Sequence, residues 1–133
     1  MANRRMFSRE IVESDAFLRL SPSAQLLYFH LCMYADDDGF VSSPRAVCAL
    51  TRRKADGLRQ LQDAGLIHIW DDGVVLVMDW LVHNQIRRDR YRMSRQAMRK
   101  CIVVGPDRRY VVHGLFPPGP TEPLPEQPSG LPS

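Results

Sequence analysis

The chain has 133 residues, 44% apolar and 25% charged, a balance that suits one soluble domain with a core of its own. Sixteen arginines and two lysines against fifteen acids leave a net charge of +3. Residues 87–100 alone carry +6, so the rest of the chain sums to −3; a uniformly basic coat is excluded in favour of one concentrated patch, the footprint of a polyanion partner.

The N-terminus, MANRRMFSRE, has two arginines but no apolar run of signal-peptide length behind them. Residues 21–35, SPSAQLLYFHLCMYA, predict a helix, with Ser21 as its cap and Pro22 in the first turn, where a missing N–H costs nothing. Ala24, Leu27, Tyr28, Leu31 and Ala35 share one face, while Leu26, Phe29, Cys32 and Met33 cover much of the other side. A helix apolar nearly all round is buried on more than one side. Its spare face packs either on residues 7–20 or on a second subunit. The apolar stretch 24–35 is too short to cross a bilayer. ADDDGF, residues 35–40, ends the helix; its acids lack the ligand series of a calcium loop and read as a solvated turn.

Residues 39–42 predict a short strand, and Ser43-Pro44 opens a second helix to about residue 50. Thr51 is read as the cap of a third helix, 52–64, closed by Gly65. Ala55, Leu58 and Leu61 face inward on it, and Arg52, Arg53 and Arg59 face outward together with Asp56 and Asp63. Residues 66–70 and 74–78 are apolar, β-branched runs on either side of Asp71-Asp72-Gly73, a strong hairpin signal. The order helix, strand, helix, helix, hairpin predicts an α+β fold, a winged helix-turn-helix domain over residues 1–113 with the third helix as reader and the hairpin as wing.

Next comes WLVHNQIRRDRYR, residues 80–92, the start of a C-terminal basic extension. Its apolar anchor and polar elbow lead into the arginine run. Ser94 is placed to cap a short basic helix to Lys100, and residues 101–104 and 110–112 pair as a further hairpin. Residues 114–133 hold seven of the ten prolines and few large apolar residues, which predicts a disordered Pro-rich tail or linker.

Catalytic chemistry is not visible. His30, His68, His83 and His113 are scattered, Cys32, Cys48 and Cys101 have no metal-ligand spacing, and no glycine loop cradles a phosphate. A non-enzymatic protein without cofactor or metal, in the cytoplasm of a bacterial host cell, is expected. For nucleic acid the candidates are Arg87, Arg88, Arg90, Arg92 and Arg95, with Tyr91 able to stack on a base or pack on the wing. Arg52, Arg53 and Arg59 form a second candidate set on the reader helix. The tip of the wing, Asp71-Asp72, would repel phosphates, so the wing is not expected to enter a groove.

MANRRMFSREIVESDAFLRL, SAQLLYFHL, ADDDGFV, GVVLVMDW and HNQIRRDRY, in this order over about residues 1–112, resemble the N-terminal domain of phage replisome organisers, the DnaD-like replication-initiation proteins. The resemblance implies a winged helix that self-associates and binds DNA in replication initiation, scaffolding origin DNA and replication partners. Larger members carry a second domain tied to helicase loading; this chain runs into the Pro-rich stretch instead. Expected partners are DNA, further copies of the chain and a replicative helicase or loader, with no membrane. The rival readings are a winged-helix transcriptional regulator and a protein-interaction module that docks replication proteins without touching DNA.

Overall fold

Two short helices, α1 (Arg9–Val12) and α2 (Asp15–Leu18), lead into the long helix α3 (Pro22–Tyr34) in the computed structural model, which describes residues 3–127. Helix α3 starts where its cap dictates: Ser21 Oγ accepts the N–H of Ala24 at 3.2 Å, and Pro22 occupies the first turn. Ala24, Leu27, Tyr28, Leu31 and Cys32 are buried. On the second apolar side the chain's own N-terminal segment covers Phe29, while Leu26 stays 48% exposed. Phe7 and Phe17 stand edge-on to Phe29 at 4.9 and 5.7 Å, and Phe17 stands edge-on to Tyr28 at 5.5 Å.

β1 (Phe40–Val41), β2 (Ile67–Ile69) and β3 (Val75–Val77) form an antiparallel sheet in the order β1-β3-β2. Phe40 pairs with Leu76, and Ile67 pairs with Val77. Between β1 and β2 lie α4 (Pro44–Thr51) and α5 (Asp56–Asp63). The boundary between these helices differs from the expected one. Thr51 ends α4 instead of capping α5, and its hydroxyl donates back to the Val47 carbonyl at 2.7 Å. Arg52 then turns left-handed, with φ 57°, and the N–H of Arg53 closes the helix end on the Cys48 carbonyl at 2.9 Å. Residues 52–55 are therefore a connection, and Arg52 and Arg53 do not stand on the third helix. Gly57 sits in the first turn of α5 because α3 passes close by. A Cβ there would lie 2.9 Å from Leu27 Cδ2.

The Asp-Gly hairpin forms as expected, with the N–H of Trp70 on the Val74 carbonyl at 3.0 Å and the Asp72 carboxylate accepting the N–H of Val74 at 3.1 Å. After it come α6 (Trp80–His83), an irregular stretch, a 3₁₀ turn (Ala97–Cys101) and the second hairpin, β4 (Ile102–Val104) with β5 (Tyr110–Val112). Ser94 is not the cap of the 3₁₀ turn; it is buried and bonded elsewhere. Ile102, Val104 and Tyr110 share one apolar cluster with α3 and the first sheet.

The expectation of a free tail is corrected for residues 121–127. Val104 and Glu122 exchange backbone hydrogen bonds of 2.6 and 2.8 Å, Leu124 is buried, and Gln127 bonds the backbone of Tyr91 and Met93. A single leucine in a Pro-rich run, with a sheet edge beside it, is enough to dock the segment. The last part of the predicted tail, 128–133, lies outside the described residues. Among the described residues, no helix is long and apolar enough to cross a membrane.

Candidate nucleic-acid interface

The loop 36–38 is where the basic segment is held, and it is not a solvated turn. Asp36 accepts the N–H groups of Asp38 and Phe40, each at 3.0 Å, and the hydroxyl of Ser94 at 2.5 Å. Asp37 takes the Arg5 guanidinium at 3.3 Å and the backbone N–H of Arg92 at 2.9 Å. Asp38, 1% exposed, accepts from the Tyr91 hydroxyl at 2.6 Å, the N–H of Ser94 at 2.8 Å and Arg99 Nε at 2.9 Å. Its carbonyl accepts the Tyr110 hydroxyl at 2.7 Å. A run of three acids looks solvated in sequence because its partners lie more than thirty residues away. Burial pushes the Asp36 carboxyl above the ordinary carboxylate value, with the Ser94 hydroxyl and two backbone N–H groups pulling the other way.

Gly39 lets the loop pass over Trp80. Its φ is +94°, and a Cβ there would lie 2.7 Å from Trp80 Cγ. Trp80 is fully buried, its indole N–H donates to the Asp37 carbonyl at 2.9 Å, and the Arg5 guanidinium lies 4.9 Å from the ring centroid.

The elbow 83–84 ties α6 to the N-terminal segment. His83 Nδ1 accepts the N–H of Ser8 at 2.8 Å, which leaves Nε2 to carry the proton towards the Tyr28 hydroxyl at 2.7 Å. Burial lowers the His83 pKa from 6.5 to about 4, in keeping with a neutral ring. Asn84 Oδ1 accepts the N–H of Met6 at 2.9 Å. Its Nδ2 is buried and, among the described residues, has no hydrogen-bond partner.

These ties bring the N-terminal segment alongside residues 84–96 and leave a groove of about 1140 Å³ between them. Arg87, Arg90, Arg92 and Arg95 border it, and Arg4 and Arg5 join them from the far end of the chain. Sequence reasoning noted Arg4 and Arg5 only as two arginines with no signal-peptide core behind them; the adjacent pair was the only available sign. Arg5 is part of the frame, spent on Asp37 and the Ala35 carbonyl. Arg87 is paired with Asp89 at 3.1 Å, an exposed pair that is weak in water and open to exchange for a phosphate. Among the described residues, Arg88, Arg90, Arg92 and Arg95 make no ion pair and are exposed.

Tyr91 has another place than the one its stacking role required. It is 6% exposed, with its hydroxyl on Asp38, so its ring belongs to the frame. Arg88 borders a separate cavity of about 420 Å³, which touches the groove at Asn84 and Ile86. Arg52, Arg53 and Arg59 border neither cavity; Arg52 and Arg59 are exposed on the α4–α5 side. The structure thus gathers four of the nine candidate residues in the groove, places Arg88 on the neighbouring cavity and Tyr91 in the frame, and leaves Arg52, Arg53 and Arg59 as a separate set. No group of three His, Cys, Asp or Glu side chains among the described residues is placed to hold a metal ion. Comparison with protein-family models, with curated proteins and with solved structures found no match to this chain.

Proposed function

We propose that the chain is a winged-helix DNA-binding protein that acts as a scaffold in replication initiation, in the manner of the replisome organisers its sequence resembles. The observation that carries the DNA-binding part is the groove itself. Arginines from two segments some eighty residues apart border one trough, and the acids in its wall, Asp36 and Asp37, are engaged within the protein. Charge of one sign in a trough raises the local concentration of a polyanion and steers its approach. The element order and the pairing of β1 with β3 support the winged-helix reading. The acidic tip of the first hairpin turns the expected contacts away from the wing and towards Arg87–Arg95. The replication role, with self-association and a helicase or loader as partners, rests on the resemblance alone.

Anisotropy titrations of fluorescein-labelled DNA at rising salt test the proposal. Affinity should fall steeply with salt, and replacing Arg87, Arg90 and Arg95 by Ala should flatten the slope by about one unit per lost phosphate contact. Failure to bind DNA at low salt would sink the reading and leave the protein-interaction rival standing. Footprinting separates an organiser, which spreads cooperatively, from a regulator with a single tight site.

A further inference from the structure

We infer that residues 121–127 are exchanged between two copies of the chain, each copy seating its segment in the other's cleft. The inference goes beyond the DNA-binding reading and does not rest on it. It assigns a surface to the self-association that the resemblance leaves unplaced.

The seat is built for an extended peptide. Glu122 joins the edge of β4 away from β5 through two backbone hydrogen bonds with Val104, and Leu124 is buried in the main apolar cluster. The Pro125 carbonyl accepts from Arg99. The Gln127 side chain accepts the Met93 N–H at 3.0 Å and donates to the Tyr91 carbonyl at 2.9 Å. Main-chain bonds at a sheet edge with a pocket for one side chain are the general mode of strand addition. All these contacts belong to residues 122–127, so they are the same whichever copy supplies the segment.

The connection to the segment favours the second copy. β5 and the chain at Glu122 both run antiparallel to β4, on its opposite edges, and are therefore parallel to each other. Within one copy the chain crosses β4 between Val112 and Glu122, in the nine residues 113–121. A crossover between parallel strands ordinarily takes about a dozen residues or more. Pro117, Pro118 and Pro120 fall within this span, and proline favours an extended course over a doubling back. Little holds the crossover down. Residues 114–120 are exposed throughout, and among the described residues their only hydrogen bonds are with His113 and Thr121. Leu115 and Phe116 stand 93% and 85% exposed. In a reciprocal exchange the two connectors run between the copies about a two-fold axis, which brings these side chains of one copy towards those of the other and out of water.

Light scattering on the full chain and on two connector variants tests the exchange. The full chain should be a dimer at ~100 µM that dissociates on dilution. Deleting residues 117–119 shortens the crossover and should tighten the dimer by about tenfold or more. Inserting about six Gly and Ser residues after Phe116 relaxes the crossover and should weaken the dimer by about tenfold or more. Both changes fall on exposed residues and spare the core. Leu124→Asp, which removes the anchor of the segment, should give a monomer. A full chain that is monomeric at ~100 µM overturns the inference. A dimer whose strength neither connector change alters overturns it too, since the copies then associate through another surface. The anisotropy titration reads the DNA proposal separately: a monomer that binds DNA leaves that proposal intact, and a connector-dependent dimer that binds none leaves the exchange standing.

Discussion

The hydroxyl of Tyr91 donates to the carboxylate of Asp38 at 2.6 Å across 53 residues of chain. Arg99 joins the same pair, with Nε on Asp38 at 2.9 Å and a terminal nitrogen on the Tyr91 oxygen at 3.1 Å, and also donates to the Pro125 carbonyl. The three side chains bind the acidic loop, the basic segment and the docked Pro-rich segment into one knot. In this arrangement two members of the basic extension, Tyr91 and Arg99, hold the frame that presents the others.

Tyr91→Phe should therefore act on stability and spare binding. Loss of the hydroxyl, which donates to Asp38 and accepts from Arg99, is expected to lower the unfolding free energy by about 2 kcal/mol, with DNA affinity changed by less than about twofold. Urea denaturation and the anisotropy titration measure the two effects separately. Asp38→Asn should cost more, about 3 kcal/mol, because the largely buried Arg99 is then left without its counter-charge.

Gly39→Ala should be among the most damaging single-methyl changes in the chain. The new Cβ would lie 2.7 Å from Trp80 Cγ, and the φ of +94° is strained for any L side chain. A loss of about 3 kcal/mol in urea denaturation is expected. A loss below about 1 kcal/mol would show that the loop can shift away from Trp80 at little cost.

Arg52→Gly separates two roles at one position. Relief of the left-handed strain at φ 57° should raise stability by about 1 kcal/mol. If Arg52 belongs to the DNA surface, the same change should weaken DNA binding and reduce the salt slope by about one unit. A stabilised variant with unchanged binding would confine the interface to the groove.

Stability should fall as pH drops from 6.5 towards 4, and His83 is the group responsible. Its pKa is lowered in the folded state to about 4, so between the two values the unfolded chain takes up a proton that the folded chain refuses. The loss grows to about 3 kcal/mol at the acid end. Asp36 and Asp79, whose carboxyls burial pushes up, work in the opposite sense within the carboxylate range. NMR titration of the His83 ring isolates its share; a midpoint near 6.5 would contradict the buried neutral ring.

Local patterns were the legible part of the fold. Ser21-Pro22 with its apolar spacing predicted α3, Asp71-Asp72-Gly73 predicted the first hairpin, and both pairs of later strands follow β-branched runs. These signals lie within a few residues of the structure they specify. The start of α5 was misread because Arg52 takes a left-handed turn that favours glycine or asparagine, and nothing in TRRKADG announces it. Asp36, Asp37 and Asp38 were misread because their meaning depends on Arg5, Tyr91, Ser94 and Arg99, which no local window contains. Leu124 was passed over for the same reason. At the candidate site the charge run 87–100 was visible, but Tyr91 and Arg99 could not be told from their neighbours without knowing which side chains reach Asp38. Arg4 and Arg5 entered only once Asn84 and His83 had tied down the N-terminal segment.

The acidic loop also bears on the order in which the chain folds. Its partners are separated from it by 32 residues at Arg5, 53 at Tyr91, 61 at Arg99 and 72 at Tyr110. Closing spans of that length costs chain entropy before any contact repays it, whereas α3, α4, α5 and the first hairpin are assembled from neighbours. The basic segment is thus expected to be seated late, after the helices and the first hairpin. Substitutions at Asp38, Tyr91 or Arg99 should then quicken unfolding and leave the refolding rate nearly untouched, which makes this loop the lock on the kinetic lifetime of the arginine groove.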